Sequence, residues 1–413
     1  MTPIMSTVLV LSGYSIVNGA SLSDASFAWI NTTLIGLRNH FEWDGATLPN
    51  PFARLPSSAK SRIRPSVYGL SKDSAGVQVA FVTNASSIAL RWKMFESGGA
   101  AEGTVPIALH SGADLYVFDD NSRKWRWAGS ATNITLDAGI IGKTIYHQLP
   151  MYTPSRAPMD RAYLLNLPMY GSLEACDIGV PAGSPWSLSP LTSKSPVGPG
   201  AAMDTVGPIV WYGTSITQGA AASRPGMAAT NIVSRQLNVE VLNFGFSGNG
   251  LLELNVTAFL VQIDASALIL DCLHNMHADL VANNTEPLVH AYRKAHPRTP
   301  IIFAEGVPYG SSWEGAANPS RKSQLDRRAQ FHAAFERLQA AGVPGLFYVR
   351  GDQLFASMPP GVLWQPTEGG THPSDLGMAS MATFWIRYLP TVIQGLGQGA
   401  TTHVIKARSD DTA

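Results

Sequence analysis

Between about residues 60 and 180, apolar and polar positions alternate in short runs. "GVQVAFVT", "SIALRWKM", "VPIALH", "DLYVFDD", "KWRWAG", "NITLDA" and "RAYLLNLPMY" are rich in Val, Ile, Tyr and Trp and are separated by turn residues. That rhythm predicts the half-buried strands of an all-β jelly roll or sandwich. From 181 to 207, "PAGSPWSLSPLTSKSPVGPGAAMDT" concentrates Pro, Gly and Ser and reads as a linker or strap. The pattern then changes. "PIVWYG", "VEVLNFG", "ALILDC", "PIIFAEG" and "GLFYVRG" are continuous apolar runs, and segments of helical character follow near 226–237, 284–296, 321–341 and 374–389. Continuous apolar runs suit strands buried on both faces, so this half predicts an α/β layer of parallel strands with helices on both faces.

The domain reading that follows is a signal peptide at 1–20, a β module at 25–190, an α/β domain at 205–395 and a tail at 396–413. At 413 residues the chain is long enough for two cores. The 29 basic residues balance 29 acidic ones, which leaves no electrostatic footprint for nucleic acid or an anionic membrane surface. No uninterrupted apolar run approaches the ~18 residues of a spanning helix. The start, "MTPIMSTVLVLSGYSIVNGAS", has an apolar middle and small residues near Ala20, although no Lys or Arg precedes them. N-x-S/T sequons at Asn31, Asn84, Asn133, Asn255 and Asn283 favour a secreted glycoprotein. Only Cys176 and Cys272 are present, and the sequence leaves open whether they pair.

In an open parallel sheet, ligands bind beyond the carboxyl ends of the strands. The polar residues of interest fall there: Thr214-Ser215 after the first strand, "NFGFSGNG" with Gly245 after the second, "LDCLHNM" with Asn275 after the third, and "GGTHPSDLG" with His372 before the last helix. Acyl transfer through a tetrahedral oxyanion requires a nucleophile, a base and donors aimed at the developing charge. Ser215 and His372 can be the first two. The N–H groups of Ser215 and Gly245 and the amide of Asn275 can be the donors. Each has a plainer alternative: Ser215 as a helix cap, His372 in a turn before a helix capped by Ser374, Asn275 bonded to local backbone, and Gly245 and Gly248 as loop punctuation. "HNMH", with His274 and His277, has too few ligands for a zinc site.

These four blocks resemble the SGNH, or GDSL-like, hydrolase family, with "GTSITQG" where a GDSIT-like block is usual. "GADLY" at Gly112–Tyr116, with "ASRPGM", "FSGNG" and "THPSDLGM", is similar to a subgroup carrying an amino-terminal module marked G-x-D-L-Y. The likeness runs from about residue 40 to 390. It implies a flavodoxin-like α/β fold and a serine esterase, often one that removes acetyl groups from carbohydrate. It also implies Ser215 as nucleophile, His372 as base, Gly245 and Asn275 as oxyanion donors, and no metal or organic cofactor. The substrate so implied is a small-molecule or polysaccharide ester; the alternatives are a lipase or arylesterase acting on apolar esters and a carbohydrate-binding protein without catalysis.

One departure stands out. The family usually has Asp three residues before the His, where this chain has Gly369, with Glu368 one step further back. Either Glu368 orients His372 or the enzyme runs as a Ser–His dyad; Asp352, Asp375 and Glu305 are the other carboxylates near strand or helix ends. Trp211 is expected in the core, and Trp313 and Trp364 are core or rim aromatics.

Overall fold

A computed structural model describes residues 26–97, 105–131, 144–150, 159–182, 189–190, 206–358, 366–394 and 396. The expected signal peptide, the sequon at Asn133, most of the 181–207 strap, Trp364 and the tail beyond 396 lie outside these residues.

The amino-terminal half holds β1 (Phe27–Asn31), β2 (Leu37–Arg38), β3 (Gln78–Thr83), β4 (Ser87–Ser97), β5 (Ala113–Asp119), β6 (Lys124–Ala131), β7 (Thr144–Pro150), β8 (Arg161–Asn166), β9 (Gly171–Pro181) and β10 (Ser189–Pro190). They form two antiparallel sheets, ordered β1-β9-β4-β7 and β10-β3-β8-β5-β6, with β2 beside β3. Alternate residues of both sheets, among them Val79, Phe81, Leu90, Trp92, Leu115, Leu165 and Ile178, meet in one apolar core. The expected sandwich is therefore present. One run departs from expectation: "VPIALH" does not extend a sheet but forms a helix, α3 (Ile107–Ser111), after Pro106. A short apolar run carries no period that separates a strand from a helical turn. Here the Leu109 carbonyl accepts the Met169 and Tyr170 N–H groups, so tertiary bonding holds the helical turn.

The carboxyl-terminal half is a five-stranded parallel sheet of β11 (Ile209–Gly213), β12 (Val241–Gly245), β13 (Ala267–Asp271), β14 (Ile301–Ala304) and β15 (Leu346–Val349), in the order β12-β11-β13-β14-β15. The alternation within each strand sends Val210, Tyr212, Leu268 and Leu270 to one face and Ile209, Trp211, Ala267 and Ile269 to the other. Helices α6 (Leu254–Leu260), α7 (Ala278–Ala295) and α8 (Pro319–Ala340) cover the first face, and α5 (Ala229–Leu237) and α9 (Asp375–Val392) the second. Trp211 is fully buried, as expected of a core residue, and packs edge-on against Trp385.

One feature cuts across the sequence-based division. Trp43, Leu55, Ile63, Val67 and Tyr68, from a stretch that includes α2 (Pro65–Ser71), pack with the α/β core although they lie between sandwich strands β2 and β3. Trp43 meets Phe259 edge-on, and Arg62 lies over the same ring. Cys176 sits in the sandwich core and Cys272 in the α/β core, both buried and free, so the pairing left open by the sequence does not form.

Candidate active site

Strands β11, β12 and β13 end in register, with Gly213 opposite both Gly245 and Asp271. The loops that follow therefore open on one edge of the sheet. After β11 the chain turns at once into α4 (Ser215–Gln218). The cap of that helix is Thr214, whose hydroxyl accepts from the Ile216 N–H. Ser215 is thus released from capping, and its Oγ lies 2.8 Å from His372 Nε2, across 157 residues of sequence. The tight turn depends on Gly213, since a Cβ there would lie 1.9 Å from Thr217 Oγ1 and 2.9 Å from the Asp271 carbonyl oxygen.

His372 stands on a two-residue ladder, β16 (Thr367–Glu368) against β17 (His372–Pro373). The ladder is stapled where the Ser374 N–H and hydroxyl both donate to the Pro366 carbonyl, at 2.8 and 3.1 Å. Ser374 occupies the N-cap of α9 without making a side-chain cap bond. Glu368 is the cross-ladder partner of His372, which places the two side chains on the same face. The other three carboxylates are engaged elsewhere. Asp352 pairs with Arg350, Asp375 accepts from Ser223, and Glu305 accepts from the Tyr348 hydroxyl and the Gly351 N–H.

On the second loop, Gly245 does a different job from the one its motif suggested. Its N–H donates to Asn243 Oδ1 at 2.9 Å, so it is not available to an oxyanion. A Cβ on Gly245 would lie 2.2 Å from the Gln218 N, so glycine here lets α4 lie directly on β12. Three residues on, Gly248 has the left-handed φ of +67°, and no acceptor among the described residues takes its N–H. Ser247 between them is fixed by its N–H to Gln218 Oε1 at 2.9 Å.

Asn275 closes the short turn Leu273–Asn275 after β13. Its amide pairs correctly when the oxygen accepts from the N–H groups of Asn249 and Gly250, at 2.9 and 3.2 Å, which turns the amide nitrogen to the opposite side. The neighbouring histidines diverge: His277 is exposed at the start of α7, whereas His274 turns inward against Tyr309. Burial, helped by the Arg327 and Arg328 charges, pushes the His274 pKa down to about 3, which favours the neutral ring near neutral pH.

Sequence reasoning missed Asp271. Its carboxylate is buried beneath the nucleophile turn, where Trp211 Nε1 and Thr217 Oγ1 donate to Oδ2 at 3.2 and 3.1 Å. Burial raises its pKa to about 7 against the pull of these two donors. Embedded in the apolar run "ALILDC", it reads as a strand end and not as a site residue. Also missed were Arg54 and Arg64, whose guanidinium groups reach the second loop from the amino-terminal half.

Residues 207–390 match the GDSL-like lipase/acylhydrolase family, and residues 28–185 match the GxDLY amino-terminus of esterases of SGNH hydrolase type. Among solved structures, a Bacteroides ovatus protein named as a GDSL-like lipase is 28% identical with a TM-score of 0.72, covering 87% of this chain and 96% of its own. A salicylyl-acyltransferase from a tetracycline biosynthetic pathway shares the fold at 18% identity and a TM-score of 0.64, covering 88% of this chain and 97% of its own. So does a family two carbohydrate esterase from Cellvibrio japonicus, at 13% identity and a TM-score of 0.50, covering 78% and 90%. No curated protein matches the sequence.

Proposed function

Given that the chain belongs to the GDSL-like lipase/acylhydrolase family and is an SGNH-type esterase with a GxDLY module, we propose that it removes a short acyl group, acetyl foremost, from carbohydrate or a similarly polar ester. The observation that carries this reading is the 2.8 Å contact between Ser215 Oγ and His372 Nε2. Ser215 passes its proton to Nε2 as Oγ attacks the ester carbonyl, forming the tetrahedral oxyanion. Collapse breaks the bond to the alcohol, which leaves with the Nε2 proton. Water, deprotonated by the same nitrogen, then attacks the acyl-enzyme and releases the acid and free Ser215.

The oxyanion is held by the Ser215 N–H and by the Asn275 amide nitrogen, whose oxygen is engaged by the Asn249 and Gly250 backbone. The third donor is assigned to the Gly248 N–H in place of Gly245. Glu368 is the carboxylate that orients His372 across the ladder.

A polar leaving alcohol is supported by the cavity of about 560 Å³ beside the His372 loop. Ser311, Ser320, Ser323 and Thr371 bring hydroxyl-bearing side chains to its wall, a lining that suits a polyol. Secretion belongs to the same reading, and the sequon residues Asn31, Asn255 and Asn283 are exposed.

The test is hydrolysis of p-nitrophenyl acetate, octanoate and palmitate beside an acetylated polysaccharide, by the native protein and by Ser215→Ala. Preference for acetyl with activity abolished in Ser215→Ala is expected. Preference for palmitate would assign a lipase, and full activity in Ser215→Ala would remove the serine mechanism altogether.

A further inference from the structure

The G-x-D-L-Y motif lies on β5, and strand alternation divides its side chains. Leu115 points into the sandwich core, while Asp114 and Tyr116 face the α/β half. Asp114 is fully buried. Its Oδ1 accepts from Trp127 Nε1 at 3.0 Å and from the Ser130 hydroxyl, and its Oδ2 accepts from the Gly226 N–H at 3.1 Å, with Arg224 Nε also 3.1 Å away. All four partners are donors or cations, so the ionised carboxylate is the form that fits. Tyr116 lies beneath the Arg235 guanidinium, 3.8 Å from ring centre to Cζ, and Arg235 in turn donates to the Gly226 carbonyl. The approach is close: a Cβ on Gly226 would stand 2.3 Å from Asp114 Oδ2.

The segment gripped in this way continues toward the catalytic histidine. Ser223, adjacent to Arg224, donates its N–H to Asp375 Oδ1 at 2.7 Å and its hydroxyl to Asp375 Oδ2 at 2.6 Å. Asp375 is the first residue of α9, three residues after His372.

We infer that Asp114 is a positioning residue for the esterase reaction: through Arg224, Gly226 and the Ser223–Asp375 clamp, the β module fixes the start of α9 and with it the reach of His372 to Ser215. The inference rests on the serine–histidine reading of the site. It makes the β module a brace for the chemistry and gives its signature motif no glycan to bind.

Asp114→Asn keeps the shape but sets an amide against the Gly226 N–H and strips Arg224 of its counter-charge. The expected result is a fall in kcat on p-nitrophenyl acetate of ~10- to 100-fold, the scale of a displacement of about 1 Å, with KM within about twofold of the native value. Fluorophosphonate labelling of Ser215 should slow in parallel. Asp375→Asn should act in the same direction, and the double variant Asp114→Asn/Asp375→Asn should lose no more than the worse single one, because both cut one path. Ser223→Ala, which removes only an exposed hydroxyl, gives a smaller loss of kcat and keeps the test usable if Asp114→Asn does not fold.

Native kcat in folded Asp114→Asn, or in Ser223→Ala where Asp114→Asn does not fold, overturns the inference. Fully additive losses, or a raised KM on polysaccharide with unchanged kcat on the small ester, overturn it as well. If Ser215→Ala is inactive while these variants behave as native, the brace fails and the serine mechanism stands; an active Ser215→Ala defeats the mechanism itself.

Discussion

Arg64 grips Asn249 at two oxygens, its NH1 donating to Oδ1 at 2.8 Å and its NH2 to the main-chain carbonyl at 2.7 Å. The residues are 185 apart in sequence, and the Asn249 N–H is at the same time 2.9 Å from the Asn275 amide oxygen. A guanidinium from the amino-terminal half thus fixes the loop against which the Asn275 amide is set, the group proposed above as an oxyanion donor. Asn275→Ala is expected to lower kcat by ~100-fold or more through loss of that donor. Arg64→Ala should produce part of that loss, about tenfold, by loosening the donor's support. Arg64→Lys should not rescue it, since a single ammonium lacks the planar fork that meets both oxygens. Arg64 is 39% exposed on its side chain, so its ion pair with Glu253 adds no more than about 1 kcal/mol to stability. Kinetics and thermal melting of the three variants separate the two effects: a large fall in kcat with a small fall in Tm is expected.

Glu368 and His372 face each other across their ladder. Glu368→Gln is expected to lower kcat on a small ester by about tenfold or more, because a neutral amide neither stabilises the imidazolium nor fixes the tautomer. Glu368→Asp should recover only part of the rate, as the shorter arm must reach the same ring. A change of less than about threefold in Glu368→Gln would assign the chain to a Ser–His dyad.

How much of this was legible depends on the range of the interaction. Strands β11–β14 are buried on both faces, and the continuous apolar runs that result are visible in any window of the sequence. Ser215 and His372 were visible as members of motifs. The fate of Gly245 was not, because its N–H is taken by a side chain two residues away, and nothing in "NFGFSGNG" says whether Asn243 folds back or points outward. Trp43 and Tyr68 could not be placed on the α/β core, since their packing partners lie roughly two hundred residues further along. Asp114 was visible only as a motif letter: its contacts depend on Trp127 and on Arg224 and Gly226 arriving from two other segments.

Gly245→Ala offers a test of why glycine stands at that position. Alanine keeps the N–H, so a residue needed only as a hydrogen-bond donor would tolerate the change. The Cβ would instead press on the Gln218 backbone at 2.2 and 2.7 Å, with Ser215 three residues away on the same short helix. Loss of stability by ~1–3 kcal/mol in urea melts, together with a fall in kcat, is expected. Gly248→Ala, where no atom lies within 4 Å but φ is +67°, should cost ~1–2 kcal/mol of backbone strain.

Asp271 is expected to give the protein's stability a pH dependence. Its folded pKa of about 7 lies above the ordinary 3.8 because burial disfavours the charge, and the donors Trp211 and Thr217 offset that only in part. Between those values the unfolded chain is ionised while the folded one still holds its proton, so the native state binds more protons and stability falls as pH rises. The contribution is fully present below about pH 4, declines above it and is gone once pH passes about 7. Its upper limit is on the order of 4 kcal/mol. Asp271→Asn, which keeps an acceptor for Trp211 and Thr217 and cannot ionise, should flatten this component. Urea unfolding at pH 5 and pH 8 measures it: the native protein should lose more stability across that interval than the variant, and equal losses would mean that Asp271 is ionised throughout.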